Sequence, residues 1–223
     1  MRAQLVVIAA LVAGCGGAVT PPPVTMPPAA TPERPTPRAS VEPTQTTRPA
    51  VALPAPVVEL EAGTYLKEGF DPRVTFTIAE GWTAAQATAG FFDIQDDPGS
   101  VDVVAVQFGN VTEADTAEEV AANVAARPDL TVSEPDEVTI GGYTGVHLVV
   151  DTTDPLETSP VVFHPVIRVT PGDVSIASAR RLDLNLLDVD GQVLAIMVGG
   201  SVAEWDHAME LATPVIESVQ IGD

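Results

Sequence analysis

The sequence predicts an α+β domain, an antiparallel β-sheet packed by a few helices. Three observations predict it. Segments of strand character outnumber helical ones and are joined by short turns. Two segments carry helix-start signals followed by apolar residues at helical spacing. One Asp-Gly pair, Asp190-Gly191, stands between two long apolar runs, a strong short-range signal of a β-hairpin.

The elements follow in chain order. Thr75-Phe76-Thr77-Ile78 alternates polar and apolar residues and ends at Glu80-Gly81, a strand and its turn. Residues 101–108 read as a second strand. Thr112-x-x-Asp115 and Thr116-x-x-Glu119 are helix-start patterns. Ala117, Val120, Ala121 and Val124 then share one helical face until Arg127-Pro128 ends it. Short strands at 131–132 and 138–140 precede Gly141-Gly142, which turns the chain into the longest strand, 143–152. Residues 161–169 and 174–179 are further strands, interrupted by proline and glycine. Residues 181–189 pair with 192–199 across Asp190-Gly191. Ser201-Val-Ala-Glu204 reads as a capping box for a last helix over 202–212. Val202, Trp205, Met209 and Ala212 share its stripe, and Pro214 opens one more turn.

Upstream of these elements the chain has a different character. Arg2 followed by the apolar residues 5–13 reads as an export signal, too short for a membrane span. Val12-Ala13-Gly14-Cys15 resembles a bacterial lipobox. That resemblance implies lipid attachment at the Cys15 thiol and a mature chain that begins there. An ordinary secretory signal with an incidental cysteine is the alternative. Two or more acyl chains anchor stably where one is marginal. Twelve of the 21 prolines lie between Pro21 and Pro56, and residues 18–62 hold no aromatic side chain, so no core can form there. Such a spacer reaches about 145 Å if extended and about 35–40 Å as a flexible coil. The expected organisation is a lipoprotein signal peptide at 1–14, a lipidated N-terminus and disordered Pro/Thr-rich tether at 15–62, and one globular domain at 63–223.

Charge excludes whole classes of function. The 10 basic residues face 31 acidic ones, a net −21. The four arginines before Gly63 cancel the four glutamates there, so the acidity belongs to the domain. A nucleic-acid interface needs a basic face and is not expected. One cysteine permits no intramolecular disulfide and no Cys-rich zinc site.

The order Phe76-Thr77-Ile78, Gly81-Trp82, Phe91-Phe92, a central helix, long hairpin strands and a terminal helix before Ser218-Val219 resembles the PsbP-like fold family over about residues 64–222. Exported lipoproteins of high-GC bacteria carry similar domains. The resemblance implies the α+β architecture. The family hosts photosystem accessory subunits and lipoproteins alike, so it implies no activity and no site residue.

Several groups of residues invite a site reading. Asp183-x-Asn185 and Asp188-x-Asp190-Gly191 suggest a calcium loop, but Leu186 stands where the first ligand belongs. These residues read instead as a hairpin exposed on alternate sides. Asp93, Asp96, Asp97 and Asp102 read as a solvated acidic loop, with weak calcium binding as the alternative. His147, His164 and His207 are spaced by 17 and 43 residues, which matches no zinc signature. Each reads as a surface or core histidine, and His147 falls on the face opposite Val146 and Leu148. Ser201 near Asp206 and His207 reads as a helix cap, not a triad. Trp82, Phe91 and Phe92 read as core anchors.

No catalytic, cofactor or metal residue is therefore expected, and Cys15 is the one assigned site. The functional expectation is a non-enzymatic protein lipid-anchored at the outer face of the cell membrane, or facing the periplasm in a Gram-negative cell. Its domain binds or scaffolds another cell-envelope component, protein or polymer. The alternative is a small-molecule or metal-binding lipoprotein with a pocket near Trp82 or the Asp188/Asp190 loop.

Overall fold

The computed structural model describes residues 49–54, 57–100, 102–154 and 161–222. Short strands come first: β1 (Val51–Ala52), β2 (Val58–Glu59), β3 (Gly63–Leu66) and β4 (Val74–Ile78). β5 (Trp82–Ala87), β6 (Phe91–Asp96) and β7 (Val104–Val111) form a meander, and α1 (Ala117–Ala125) follows. β8 (Leu130–Val132), β9 (Asp136–Ile140) and β10 (Tyr143–Thr152) lead to the hairpin of β11 (Phe163–Val169) and β12 (Gly172–Ala177). β13 (Arg180–Val189), β14 (Gln192–Ser201), α2 (Trp205–Glu217) and β15 (Gln220–Ile221) complete the fold. The α+β class expected from the sequence is the one observed.

The β13–β14 ladder is the spine. Asp190 and Gly191 have φ of 49° and 86°, the left-handed pair a two-residue hairpin turn requires. Val189 then pairs with Gln192, and the register runs unbroken to Arg180 and Ser201. The main sheet has the order β2-β5-β6-β7-β14-β13-β10-β8, with β9 also on β10 and β11–β12 attached to β7. A smaller sheet runs β1-β3-β4-β15.

Strand alternation gives the main sheet two buried faces. On β14, Leu194, Ile196 and Val198 enter one core, with α2 and the small sheet. Val193, Ala195 and Met197 enter the other, with α1 and β11–β12. Phe92 and Phe108 pair across β6 and β7 and stack at 4.5 Å. Phe76 of β4 lies 5.5 Å from Phe108 and 5.8 Å from Phe92, so the stack bridges the two sheets.

The α1 start is the one the sequence indicates. Thr116 Oγ1 accepts the Glu119 N–H at 3.2 Å. Asp188 Oδ1 reaches over from β13 and accepts the Ala117 N–H at 2.9 Å. The second capping reading fails. Ser201 is held in the β14 ladder opposite Arg180, and its Oγ accepts the Ala203 N–H, so it cannot open a helix at 202. α2 starts at Trp205, whose ring lies 5.5 Å from the Arg181 guanidinium. Pro214 sits inside α2 instead of opening another turn.

Two further expectations are corrected. The folded region begins before Gly63, because β1 pairs with β3, β2 pairs with β5, and Leu53 and Leu60 are buried. Burying each leucine contributes about 1.5–3 kcal/mol, which outweighs the tether-like composition around it. The acidic loop also begins as a strand. Phe91 to Asp96 is β6, and Asp93 is buried within it.

Gly145 is a point of close approach. A Cβ there would collide with the Leu186 carbonyl of the neighbouring strand. Gly145→Ala should therefore destabilise the fold by about 1–3 kcal/mol in urea unfolding. Gly172→Ala, where a Cβ meets nothing within 4 Å, should shift it by less than about 0.5 kcal/mol. Equal midpoints for the two variants would contradict the packing described.

Candidate functional site

Between Leu182 and Leu187, β13 is apolar on both faces except at two places. Leu182, Leu184 and Leu186 fill one core and Leu187 and Val189 the other. Asp183 and Asn185 share the second of those faces, and they are only 7% and 4% exposed. The strand reading that exposed them on alternate sides is wrong, because β10 and β14 cover both edges and α2 covers the face.

A third polar residue meets them. His147 of β10 stands in register with Asn185. Its Nε2 lies 2.7 Å from Asp183 Oδ2. Asn185 Nδ2 donates to Asp183 Oδ1 at 2.7 Å and to the Ile196 carbonyl at 3.3 Å. A carboxylate only accepts, so the proton of this pair sits on His147 Nε2. The hydrogen bond His147 donates to Asp183 raises the His147 pKa against the opposing effect of burial, and the charges of Asp183 and Asp136 add to it.

The set opens into a groove of about 560 Å³ between α2, β9 and the sheet. Val138, Ile140, Met209 and Ile216 give it apolar walls, and Thr213 and Glu217 stand on the helix side. An imidazole fixed in tautomer and orientation beside an apolar wall can hold a hydroxyl, amide or carbonyl of a ligand whose apolar part lies along α2.

His164 occupies a different environment. Its Nδ1 lies 3.0 Å from Asp129 Oδ2 and its Nε2 2.6 Å from Asp154 Oδ2. Both nitrogens must donate, which only the imidazolium can do. The hydrogen bonds it donates to Asp154 and then to Asp129 raise its pKa. Arg127, bidentate at 3.2 and 2.9 Å, and then His164 hold the Asp129 carboxyl well below the usual carboxylate range. Ser178 Oγ donates to Asp154 at 3.2 Å. This cluster ties the α1–β8 connection, the end of β10 and the start of β11 together.

The other residues singled out in the sequence are dispersed. Asp188 caps α1 and stands on the wall of a second groove, of about 460 Å³, between α1, β9 and β10. Asp190 is exposed at the turn, with the Tyr143 hydroxyl at 3.4 Å. Asp96 ends β6, and Asp97 and Asp102 are exposed. Among the described residues no three His, Cys, Asp or Glu side chains gather as a metal set. Trp82, Phe91 and Phe92 are core residues, at most 8% exposed. His207 is exposed near Glu210, 3.9 Å away. Cys15 lies outside the described residues.

The His147–Asp183–Asn185 set was not assembled from sequence. Its signal was present. In the middle of a strand apolar on both faces and paired to an equally apolar strand, a polar residue is buried and needs partners.

Asp188 is committed to the α1 start. Calcium at millimolar concentration should leave the melting temperature where sodium chloride of equal ionic strength puts it, and Asp188→Ala should cost about 1 kcal/mol. A calcium-specific rise removed by Asp190→Asn would reveal a metal site. His164 sets the pH dependence. Its folded pKa is raised, so its contribution is complete below about 6.5, the unfolded value, and fades as pH rises through the folded value. His147 adds in the same direction. Thermal unfolding at constant ionic strength should show stability falling above pH 6.5, less steeply in His164→Gln. An unchanged slope in that variant would remove His164 from the account.

No family model matches the chain, and no curated protein matches it. Solved structures do. LpqN, described as involved in cell envelope biogenesis of Mycobacterium tuberculosis, is 10% identical at a TM-score of 0.42, covering 74% of this chain and 90% of its own. Cyanobacterial PsbP (CyanoP) from Synechocystis sp. PCC 6803 is 14% identical at a TM-score of 0.40, covering 74% and 95%. A Bacteroides thetaiotaomicron protein is 8% identical at a TM-score of 0.41, covering 74% of this chain, which spans half of that protein's length. All three identities are low, and the α+β class rests on the chain's own ladders and helix packing.

Proposed function

We propose that the protein is a non-enzymatic, lipid-anchored, exported protein whose domain binds another cell-envelope component in the groove beside α2. The buried Asp183, with His147 and Asn185, carries this reading. Folding alone does not call for a carboxylate and an amide on an otherwise apolar face, since well-packed apolar residues there are often as stable or more so. Polar groups kept at the floor of an open groove support a binding role. The lipobox-like Cys15 supports attachment to the membrane. A charge of −21 opposes contact with anionic headgroups and favours a cationic or neutral partner. Among the described residues no helix is long and apolar enough to cross a membrane.

A second reading, a scaffold docking a protein through an apolar patch, draws on Val161, Val162 and Phe163. They are 59%, 39% and 68% exposed. One experiment separates the two. Cys15→Ser should abolish incorporation of labelled palmitate and release the chain from the membrane fraction. With the anchored chain in cells, a photo-crosslinker placed near the groove should capture a partner, and Thr213→Trp should abolish capture without lowering the melting temperature. Capture that survives Thr213→Trp but is lost in Phe163→Ser would move the binding surface to the patch. Unchanged palmitate labelling in Cys15→Ser would sink the lipoprotein reading.

A further inference from the structure

The groove of about 460 Å³ beside α1 lies on the face of the sheet opposite the α2 groove. Its floor is aliphatic. Ala121, Ala122 and Ala125 of α1 line it together with Val146 and Leu148 of β10. Its charged lining is of one sign. Glu118, Asp136, Glu137 and Asp188 stand on it, and no lysine, arginine or histidine does. Glu137 is in register with Val146 and Asp188 with Val193, and both valines pack on the α1 side. Cross-strand partners share a face, so these two carboxylates stand on the groove's side of the sheet. Among the described residues none of the four carboxylates enters an ion pair. Arg127, just past the end of α1, is held by Asp129.

Carboxylates around an apolar floor repel one another, and a partner that is both cationic and apolar relieves that repulsion while covering the floor. The chemistry of the groove says what kind of cation. No aromatic ring lines it, so a quaternary ammonium finds no cage there. The four carboxylates do not gather as a metal set. β9 and β13 flank β10 about 10 Å apart, so acidic walls stand on both sides of the floor. Among the described residues β9 pairs only with β10, so a chain running along its outer edge meets no neighbouring strand. In an extended chain, alternate side chains fall on one side about 7 Å apart, which lets two basic residues reach both walls.

We propose that this groove docks a basic, extended segment of a protein partner. Its lysine or arginine side chains pair with Glu118, Asp136 and Glu137, and an apolar residue lies over Ala122 and Val146. The net charge of −21 steers such a segment to the domain, and the groove decides where it stops. The site is on the other face of the sheet from the α2 groove and does not depend on it. The test is fluorescence anisotropy, with the full chain titrated into a short labelled peptide of alternating lysine and valine. A peptide of alternating glutamate and valine, and spermidine as competitor, form the other arms.

The lysine–valine peptide should bind and the glutamate–valine peptide should not. Glu118→Gln with Glu137→Gln should weaken binding about tenfold, as should Ala122→Trp, which fills the groove. All three positions are exposed, so these variants keep the fold. Glu68→Gln with Glu80→Gln removes the same charge from exposed positions elsewhere and should leave the affinity close to that of the parent, as should Thr213→Trp in the α2 groove. Equal weakening by the two double variants would mean diffuse attraction to an acidic surface and overturns the proposal. So does silence of the lysine–valine peptide, or binding that survives Ala122→Trp. Spermidine that binds as tightly as the peptide, and is lost in the same double variant, would assign the groove to a small polyamine instead.

Discussion

The fold depends on the stack of Phe76, Phe92 and Phe108. Phe92 and Phe108 belong to the main sheet and Phe76 to the small one, and all three are fully buried. Phe70 meets Phe92 edge-on at 5.0 Å, and Tyr65 lies 6.3 Å from Phe76. Ten aromatics serve the whole chain, and five of them are spent on this junction. Aromatic rings bury the most area per side chain and add a preference for offset geometry, so one such cluster can join two layers. The small sheet also takes in the outermost strands, β1 and β15. α2 lies on the same core through Ala208, Ala212 and Val215. The position of α2 defines the groove, so the groove inherits its shape from the aromatic junction.

The main sheet is buried on both faces and carries one polar set on each. The two sets are satisfied to different degrees. Asp183 receives donors on both oxygens, one from His147 and one from Asn185. Asp93 receives one side-chain donor, from Gln95. A satisfied buried set adds rigidity and specifies a register. His164 illustrates a third arrangement, at the margin of the sheet. Two carboxylates share one imidazolium, and with Arg127 they fasten connections that the ladders do not reach.

Where local signals are strong, sequence and structure agree. The Asp190-Gly191 hairpin, the Tyr143–Thr152 strand and the Thr116 cap are all set by residues close in sequence, through φ preference, alternation and a side chain reaching its own backbone. Ser201 carried an equally good capping pattern and did not cap, because its pairing opposite Arg180 held it in the sheet. Asp93 and Asp96 read as part of an acidic loop until β5 and β7 pair on either side of them. The stretch around Leu53 and Leu60 has the composition of a tether, and two leucines with a core to enter outweigh it.

The sequence by itself determined the α+β class, the main hairpin, the first helix start and the aromatic anchors, since each rests on short-range geometry or on the need to bury rings. It also carries the lipobox-like Cys15, a linear signal that needs no fold. Tertiary structure alone decided which polar residues meet. His147 and Asp183 are far apart in the chain and adjacent only because β10 and β13 pair in one register, and a slip of one residue would turn them to opposite faces. His164 with Asp129 and Asp154, and Asp93 between Gln86 and Gln107, are likewise products of strand register and loop placement. Register is set by the summed packing of both faces, a property of the whole sheet that no short stretch of sequence contains.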